Sequence, residues 1–245
     1  MHEPYSEIYP YYDILMSFID YKTWIHYIEK LLFRDNIRDK EIFDLACGTG
    51  ECLRIWAEKG FLVKGLDASP GMLNVAREKL KDQAGLSLGD MRNFRLAENV
   101  PIITCLYDSL NYLLTEDELS SCFRSVYGAL KPAGIFVFDM NTIFCLESQW
   151  DNQTIVRENS HVYSIWRNTW DESKSISTLR VTLFVKQSEG YAKNEEVHQE
   201  RGYAVEAIRG LLEKAGFAGI EMFQHMTFLP VMETTSRIMV KARRP

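Results

Sequence analysis

The sequence predicts an α/β protein built on a parallel sheet with helices on both of its faces. Three observations carry this prediction. Short apolar runs alternate with amphipathic stretches from Glu41 to Met140, a glycine loop follows the first run, and the same rhythm resumes after Tyr203. The apolar runs Glu41–Ala46, Leu62–Leu66, Leu86–Gly89, Ile102–Leu106 and Ile135–Met140 have strand length. Between them the helices carry their own start and stop signals. Gly60 closes a helix that begins near Glu51. Ser69-Pro70 is an N-cap followed by proline at the first helical position, with Met72, Leu73, Ala76 and Leu80 on the buried face. Thr115-Glu116-Asp117-Glu118 is a capping box, and Leu119, Cys122, Phe123, Val126 and Leu130 follow at helical spacing.

Two segments depart from that rhythm. Ile8–Leu32 reads as helical and aromatic, with Trp24, Ile25, Ile28, Leu31 and Leu32 marking one face. Thr154–Arg201 reads as β-rich. It divides into antiparallel strands near His161–Trp170, Ile176–Gln187 and Tyr191–Arg201, with Asp171-Glu172-Ser173 and Ser188-Glu189-Gly190 as turns. The last stretch holds a helix at Ala204–Ala215, a stop at Gly216, and strands at Ile220–His225 and Arg237–Ala242. No linker or repeat divides the chain, so one domain is expected over 1–245. Its parts are an N-terminal helical segment (1–35), an α/β core (36–145 and 203–245) and a β insert (146–202) that caps the substrate.

Composition bounds the function. With 245 residues and a net charge of -6, the chain can bury a large core and has no global attraction for nucleic acid or anionic lipid. No apolar run reaches the ~20 residues of a membrane span, and Met1–Pro10 lacks a signal-peptide pattern. Cys47, Cys52, Cys105, Cys122 and Cys145 show no zinc-ligand spacing, so no metal is expected. An odd number of thiols without an export signal points to a reducing, cytoplasmic compartment.

The sharpest local signal is Ile42-Phe43-Asp44-Leu45-Ala46-Cys47-Gly48-Thr49-Gly50, a strand entering a glycine loop that opens a helix. Glycines there let the chain turn tightly and let a ligand approach the backbone. Asp67 ends the next strand, at the offset where an acid meets a ribose hydroxyl. A dinucleotide fingerprint needs a third glycine where Leu53 stands, and a P-loop needs a Gly-Lys-Ser/Thr that is absent.

Taken in order, Asp44-Leu-Ala-Cys-Gly-Thr-Gly50, Gly65-Leu-Asp67-Ala-Ser-Pro-Gly-Met72-Leu, Gly89-Asp90-Met91 and Leu130-Lys-Pro-Ala-Gly134 resemble the class I S-adenosylmethionine-dependent methyltransferases. The resemblance covers roughly residues 41–140. It implies a Rossmann-like, seven-stranded sheet, mostly parallel, whose last strand is antiparallel. It implies S-adenosylmethionine as cofactor and S-adenosylhomocysteine as product. By position, Asp44, Ala46, Gly48 and Gly50 surround the methionine half, and Asp67 takes the ribose hydroxyls. Ala68 and Met72 flank the adenine, with Asp90 on its amino group and Met91 against the ring. Leu106, Tyr107 and Asp108 lie under the sulfonium. Tyr5-x-x-x-Tyr9-x-x-Tyr12-Asp13 and the β insert resemble a small-molecule subgroup in which N-terminal helices close over the cofactor. Tyr5, Tyr12 and Trp24 are therefore candidate lid residues.

Each assignment has a plainer alternative. Asp44 and Asp67 could cap helices, Asp90 could end a strand, and an aromatic stripe such as Tyr5, Tyr9 and Tyr12 commonly packs a core. The loop Tyr107-Asp108-Ser109-Leu110-Asn111-Tyr112 lacks the Asn/Asp-Pro-Pro-Tyr pattern of enzymes that methylate amino groups of nucleic acids. That absence and the acidic net charge point to a small-molecule acceptor. Tyr107 and Asn111 are candidate substrate residues, as are Tyr163, His198 and Arg201 from the insert, where solvated charges are the plainer reading. No catalytic residue is identified, because a positioned acceptor needs a base only if it must lose a proton. The expected activity is methyl transfer to an N, O or C nucleophile, and the alternative is a non-catalytic sensor or scaffold of the same fold.

Overall fold

The computed structural model describes residues 4–159 and 161–245; residues 1–3, the start of the expected lid and of the segment read for a signal peptide, lie outside the described residues. The strands are β1 (Glu41–Leu45), β2 (Leu62–Asp67), β3 (Ala84–Leu88), β4 (Val100–Cys105), β5 (Leu130–Asn141), β6 (Thr154–Glu158), β7 (Val162–Asp171), β8 (Ile176–Lys186), β9 (Tyr191–Arg201), β10 (Ala218–Gln224) and β11 (Arg237–Arg243). Seven of them form one sheet in the order β10-β11-β5-β4-β1-β2-β3. Neighbouring strands from β5 to β3 run parallel, and β11 lies antiparallel between β5 and β10. The sheet is Rossmann-like with its last strand reversed.

Period-two alternation in the strands builds two apolar layers. Ile42, Ile102, Ile135 and Val137 pack with Ile25, Ile28, Leu53, Trp56 and Leu73. Those partners come from α2 (Tyr21–Arg34), α3 (Glu51–Glu58) and α4 (Pro70–Leu80). Phe43, Ile103, Phe136 and Phe138 pack with Phe123, Val126, Ile208 and Leu212. These lie on α5 (Glu116–Ala129) and α6 (Val205–Ala215). The start signals read from sequence act as expected: Ser69 accepts from the Met72 amide, and the Thr115–Glu118 capping box is complete.

The N-terminal segment and the insert differ from expectation in detail. Ile8–Leu32 is not one helix. A 3-10 turn at Tyr9–Tyr11 and the short α1 (Tyr12–Leu15) precede a break, after which Asp20 caps α2 by accepting from the Thr23 amide. Among the described residues the insert has four strands, in the order β6-β7-β8-β9, rather than three. The additional edge strand β6 has mostly exposed residues and therefore no alternating pattern to read. A π-helix at Cys145–Trp150, a rare form that sequence periodicity does not signal, joins β5 to the insert.

All five cysteines are free. Among the described residues no helix is long and apolar enough to cross a membrane, and no cluster of His, Cys, Asp and Glu could hold a metal ion. Because Thr115 closes α5 reciprocally with Glu118, Thr115→Ala is expected to lower unfolding free energy by about 1 kcal/mol in urea titration while leaving the secondary-structure spectrum unchanged. A stability equal to the parent's would show that the cap contributes nothing.

Candidate active site

The glycine loop leaves β1 through three residues in the left-handed region: Ala46 (φ 56°), Gly48 (φ 54°) and Gly50 (φ 76°). A Cβ at Gly48 would meet no heavy atom within 4 Å, so the bare backbone there faces open space. Gly50 is required for a second reason, since a Cβ would lie 2.7 Å from Leu80 Cδ1. The loop is pinned from behind. The Cys47 amide donates to the Leu66 carbonyl at 3.0 Å, and the Gly48 amide to Asp67 Oδ2 at 2.8 Å. The other oxygen of Asp67 accepts from the Ser69 amide at 2.8 Å. Asp67 thus fixes the loop and precedes the helix cap, and each carboxylate oxygen keeps a lone pair for a ligand hydroxyl.

Asp44 is buried beneath the loop, and its Oδ1 accepts from Thr104 Oγ1 at 2.6 Å. Burial, offset in part by Thr104 and reinforced by the Asp67 charge, pushes its pKa up to about 7. Neither Asp44 nor Asp67 has a cationic side chain as an ion-pair partner among the described residues. Two neighbouring carboxylates without a cationic partner suit a cationic ligand, which would favour their ionised form. Asp90, by contrast, is exposed and accepts from the Arg92 amide at 2.8 Å and from its guanidinium, which lower its pKa. Ala68 is exposed, Met72 is buried and Met91 is half-buried beside Asp90.

After β4 and Leu106, Tyr107 and Asp108 are both left-handed, with φ 65° and 54°. Two consecutive residues of this kind are strained and must be held. Asp139 of β5 holds them, accepting from the Tyr107 amide at 2.6 Å and the Asp108 amide at 2.9 Å. Arg237, the first residue of β11, reaches Asp139 at 3.2 Å and Asp108 at 3.1 Å. Asn141 donates to Asp108 Oδ2 at 2.8 Å and to Glu200 Oε2 at 2.9 Å. Burial pushes Asp139 up to about 6, against the pull of Arg237, and pushes Glu200 well above the carboxylate range. The cluster therefore joins the core to β9 of the insert. Sequence reading missed Asp139, Asn141 and Arg237, although Asp139 and Asn141 stand out as polar residues ending an apolar strand.

The candidate lid and substrate residues fall into different places. The Trp24 ring centroid lies 5.4 Å from that of Tyr107 and 4.5 Å from that of His225. The Tyr5 hydroxyl is 2.7 Å from that of Tyr112, and the Tyr5 ring contacts Tyr12 edge-on at 5.7 Å. Tyr112 lies 3.1 Å from His198 Nδ1. Asn111 is fully buried and spends its amide on backbone groups of Asn141 and Arg201. Arg201 donates to the Leu114 carbonyl at 2.9 Å and stacks on Tyr203. Tyr163 takes the strand face opposite buried Val162 and Ser164, beside Phe184, and so stands apart from Tyr107, Tyr112 and His198.

Comparison with known proteins gives one answer throughout. A methyltransferase-domain family model matches residues 42–134. "Putative methyltransferase YqeM" of Bacillus subtilis (strain 168) is 31% identical over 239 residues, covering 95% of this chain and 94% of that protein. A dTDP-3-amino-3,6-dideoxy-alpha-D-glucopyranose N,N-dimethyltransferase of Streptomyces fradiae is 32% identical over 120 residues, covering 49% of this chain and 47% of its own length. Among solved structures, an S-adenosylmethionine-dependent methyltransferase from Clostridium acetobutylicum ATCC 824 superposes with a TM-score of 0.85 at 27% identity, covering 96% of each chain.

The buried charges make two expectations. Because the pKa of Asp44 is raised in the fold, its contribution to stability is full below the ordinary aspartate value and is lost as pH rises to about 7. Asp44→Asn should therefore unfold later than the parent in thermal melts of ligand-free protein above pH 7, with a shallower fall in stability between pH 4 and 7. Equal slopes would refute the assignment. Arg237→Met should destabilise by about 3–5 kcal/mol in urea at pH 7, because it strands Asp108 and Asp139 without a counter-charge. Adding Asp139→Asn should recover part of that loss. A double variant no more stable than the single one would contradict the pairing.

Proposed function

The chain belongs to the class I S-adenosylmethionine-dependent methyltransferase family, and on that premise we propose that it methylates an amine nitrogen of a small polar molecule. S-Adenosylmethionine supplies an electrophilic methyl group on a sulfonium, and S-adenosylhomocysteine is the product. The residues present suit such a cofactor. The backbone at Gly48 is open to a ligand, Asp67 has lone pairs for two ribose hydroxyls, and buried Asp44 has no cationic partner among the described residues. We assign Asp44, Ala46, Gly48 and Gly50 to the amino-acid end, and Ala68, Met72, Asp90 and Met91 to the adenine. On this assignment the adenine amino group shares an Asp90 oxygen that also accepts from Arg92. Leu106 and Asp108 lie beneath the methyl donor, and Tyr5, Tyr12 and Trp24 close over it.

One observation carries the acceptor class. The loop Tyr107–Tyr112, which we assign to the acceptor, is met at Tyr112 by His198 from the insert and by Tyr5 from the N-terminal segment, and Glu200 reaches it through Asn141. A base in a duplex or a side chain on a folded protein would have to displace both covers, a demand that a small molecule does not make to the same extent. The choice of nitrogen rests on charge. Asp108 and Asp139 stand there beside Arg237, and buried carboxylate next to the acceptor stabilises the positive charge that a methylated amine acquires. The name of the Streptomyces fradiae relative, an N,N-dimethyltransferase of an amino sugar, supports the same choice. The protein's part is then to orient the amine, exclude water and hold the cofactor.

Incubation with methyl-labelled S-adenosylmethionine tests this against a panel of amino sugars and their nucleotide forms, neutral sugars, phenols and carboxylic acids. Label is expected on amine nitrogen. Transfer to oxygen or carbon alone would overturn the choice of nitrogen, and cofactor binding with no transfer to any compound class would favour the sensor alternative. Asp67→Ala should weaken S-adenosylhomocysteine binding roughly ten- to hundredfold in calorimetry, the range for losing hydrogen bonds to a charged group. An unchanged affinity would remove Asp67 from the site.

A further inference from the structure

The N-terminal segment has two sides. One rests on the elements around the glycine loop. Thr49 donates to Asp13 at 2.6 Å, Lys79 pairs with Asp13 at 2.8 Å, and the Tyr9 ring covers Gly71 so closely that a Cβ there would lie 2.6 Å from it. The other side rests on the insert. Ile8, Leu15 and Met16 bury against Val162, Val181, Leu183 and Val185.

At the edge of that apolar contact stands a polar chain whose far member, Glu196, the methyl-transfer reading leaves unused. Glu196 and His198, each 2% exposed, are two residues apart on β9 and so share its inner face. Glu196 Oε1 accepts from the Glu7 amide at 2.7 Å and from Ser6 Oγ at 3.2 Å. Its Oε2 lies 3.3 Å from His198 Nε2. His198 Nδ1 lies 3.1 Å from the Tyr112 hydroxyl, which meets the Tyr5 hydroxyl at 2.7 Å. The Tyr5 ring completes the circuit, 4.9 Å from the His198 ring. Three consecutive residues, Tyr5, Ser6 and Glu7, are thus gripped by two side chains of the insert, directly or through Tyr112.

We propose that Glu196 and His198 are positioning residues of a latch, holding the N-terminal segment shut over the glycine loop and so setting how long the cofactor stays bound. The inference rests on the reading that the glycine loop holds S-adenosylmethionine. The chemistry is specific to a carboxylate. Closing the segment takes Glu196 out of water, which is tolerable only if donors replace the water, and the Glu7 amide and Ser6 hydroxyl are those donors. Burial raises the Glu196 pKa, but His198 and the Glu7 amide outweigh it and hold the group below its ordinary value. His198, oriented by Glu196, extends the grip to Tyr5 through Tyr112. An acceptor that touched β9 would meet the same strand that fastens the lid.

Release of S-adenosylhomocysteine, followed by stopped-flow displacement, tests the latch, together with amide hydrogen exchange of the bound complex. Glu196→Ala is expected to release the ligand roughly ten- to hundredfold faster, the range for losing a charged hydrogen bond. Exchange protection at residues 7–13 should fall while the β1 and β5 amides stay protected, which separates an open lid from a damaged fold. Glu196→Gln, which can still accept from the Glu7 amide without a charge, should fall between alanine and parent. Tyr112→Phe cuts the second branch of the grip without touching Glu196 and should also speed release. Release within twofold of the parent in Glu196→Ala and Tyr112→Phe, with residues 7–13 still protected, would overturn the latch alone. A parent protein that binds no S-adenosylhomocysteine would overturn the cofactor reading and the latch with it.

Discussion

The carboxylate of Asp139 holds the centre of this structure. It sits fully buried near the end of β5 and accepts both amides of a strained pair, Tyr107 and Asp108, just beyond β4. Without that acceptor the loop after β4 has no reason to keep two left-handed residues in succession. The Asp139 charge is compensated by Arg237, which stands at the start of β11, antiparallel and hydrogen-bonded to β5. The reversed last strand therefore does more than complete the sheet. It delivers a cation to the point where the core would otherwise bury two carboxylates unpaired.

From that point the site is assembled in two directions. Towards β1 and β2, anionic groups meet open backbone, with Asp44 below the glycine loop and Asp67 pinning it. Towards the insert, Asn141 passes the network to Glu200, and Asn111 ties the same turn to the end of β9. The insert is thus anchored to the core by buried hydrogen bonds rather than by a chain linkage alone. The N-terminal segment then lies between them, touching the loop on one side and the insert on the other.

How much of this was legible in the sequence depends on the range of the interactions. Elements set by local patterns were readable: Ser69 and Thr115 as caps, the buried faces of α4 and α5, and most strands of the sheet. The break before α2 was not, because it depends on Asp20 capping in competition with an otherwise continuous apolar face. β6 was not readable because an exposed edge strand has no period. Of the residues assigned to the site, Asp44, Asp67 and the glycines sit in an ordered motif series, and their assignment was read from that order. Asp139, Asn141, Glu196 and Arg237 act on residues far away in the chain, and a single sequence does not show which turn a buried acid will meet. Tyr163 illustrates the converse. Strand period places Tyr163 on the face opposite Val162 and Ser164, but does not say which face the core takes.

The most direct test of this account is a crystal structure of the protein with S-adenosylhomocysteine. The ribose hydroxyls are expected on Asp67 and the amino-acid end against the backbone at Gly48, with Tyr5 and Tyr12 closed above the ligand. A ligand seated elsewhere, or one bound over the glycine loop without contact to Asp67, would contradict it.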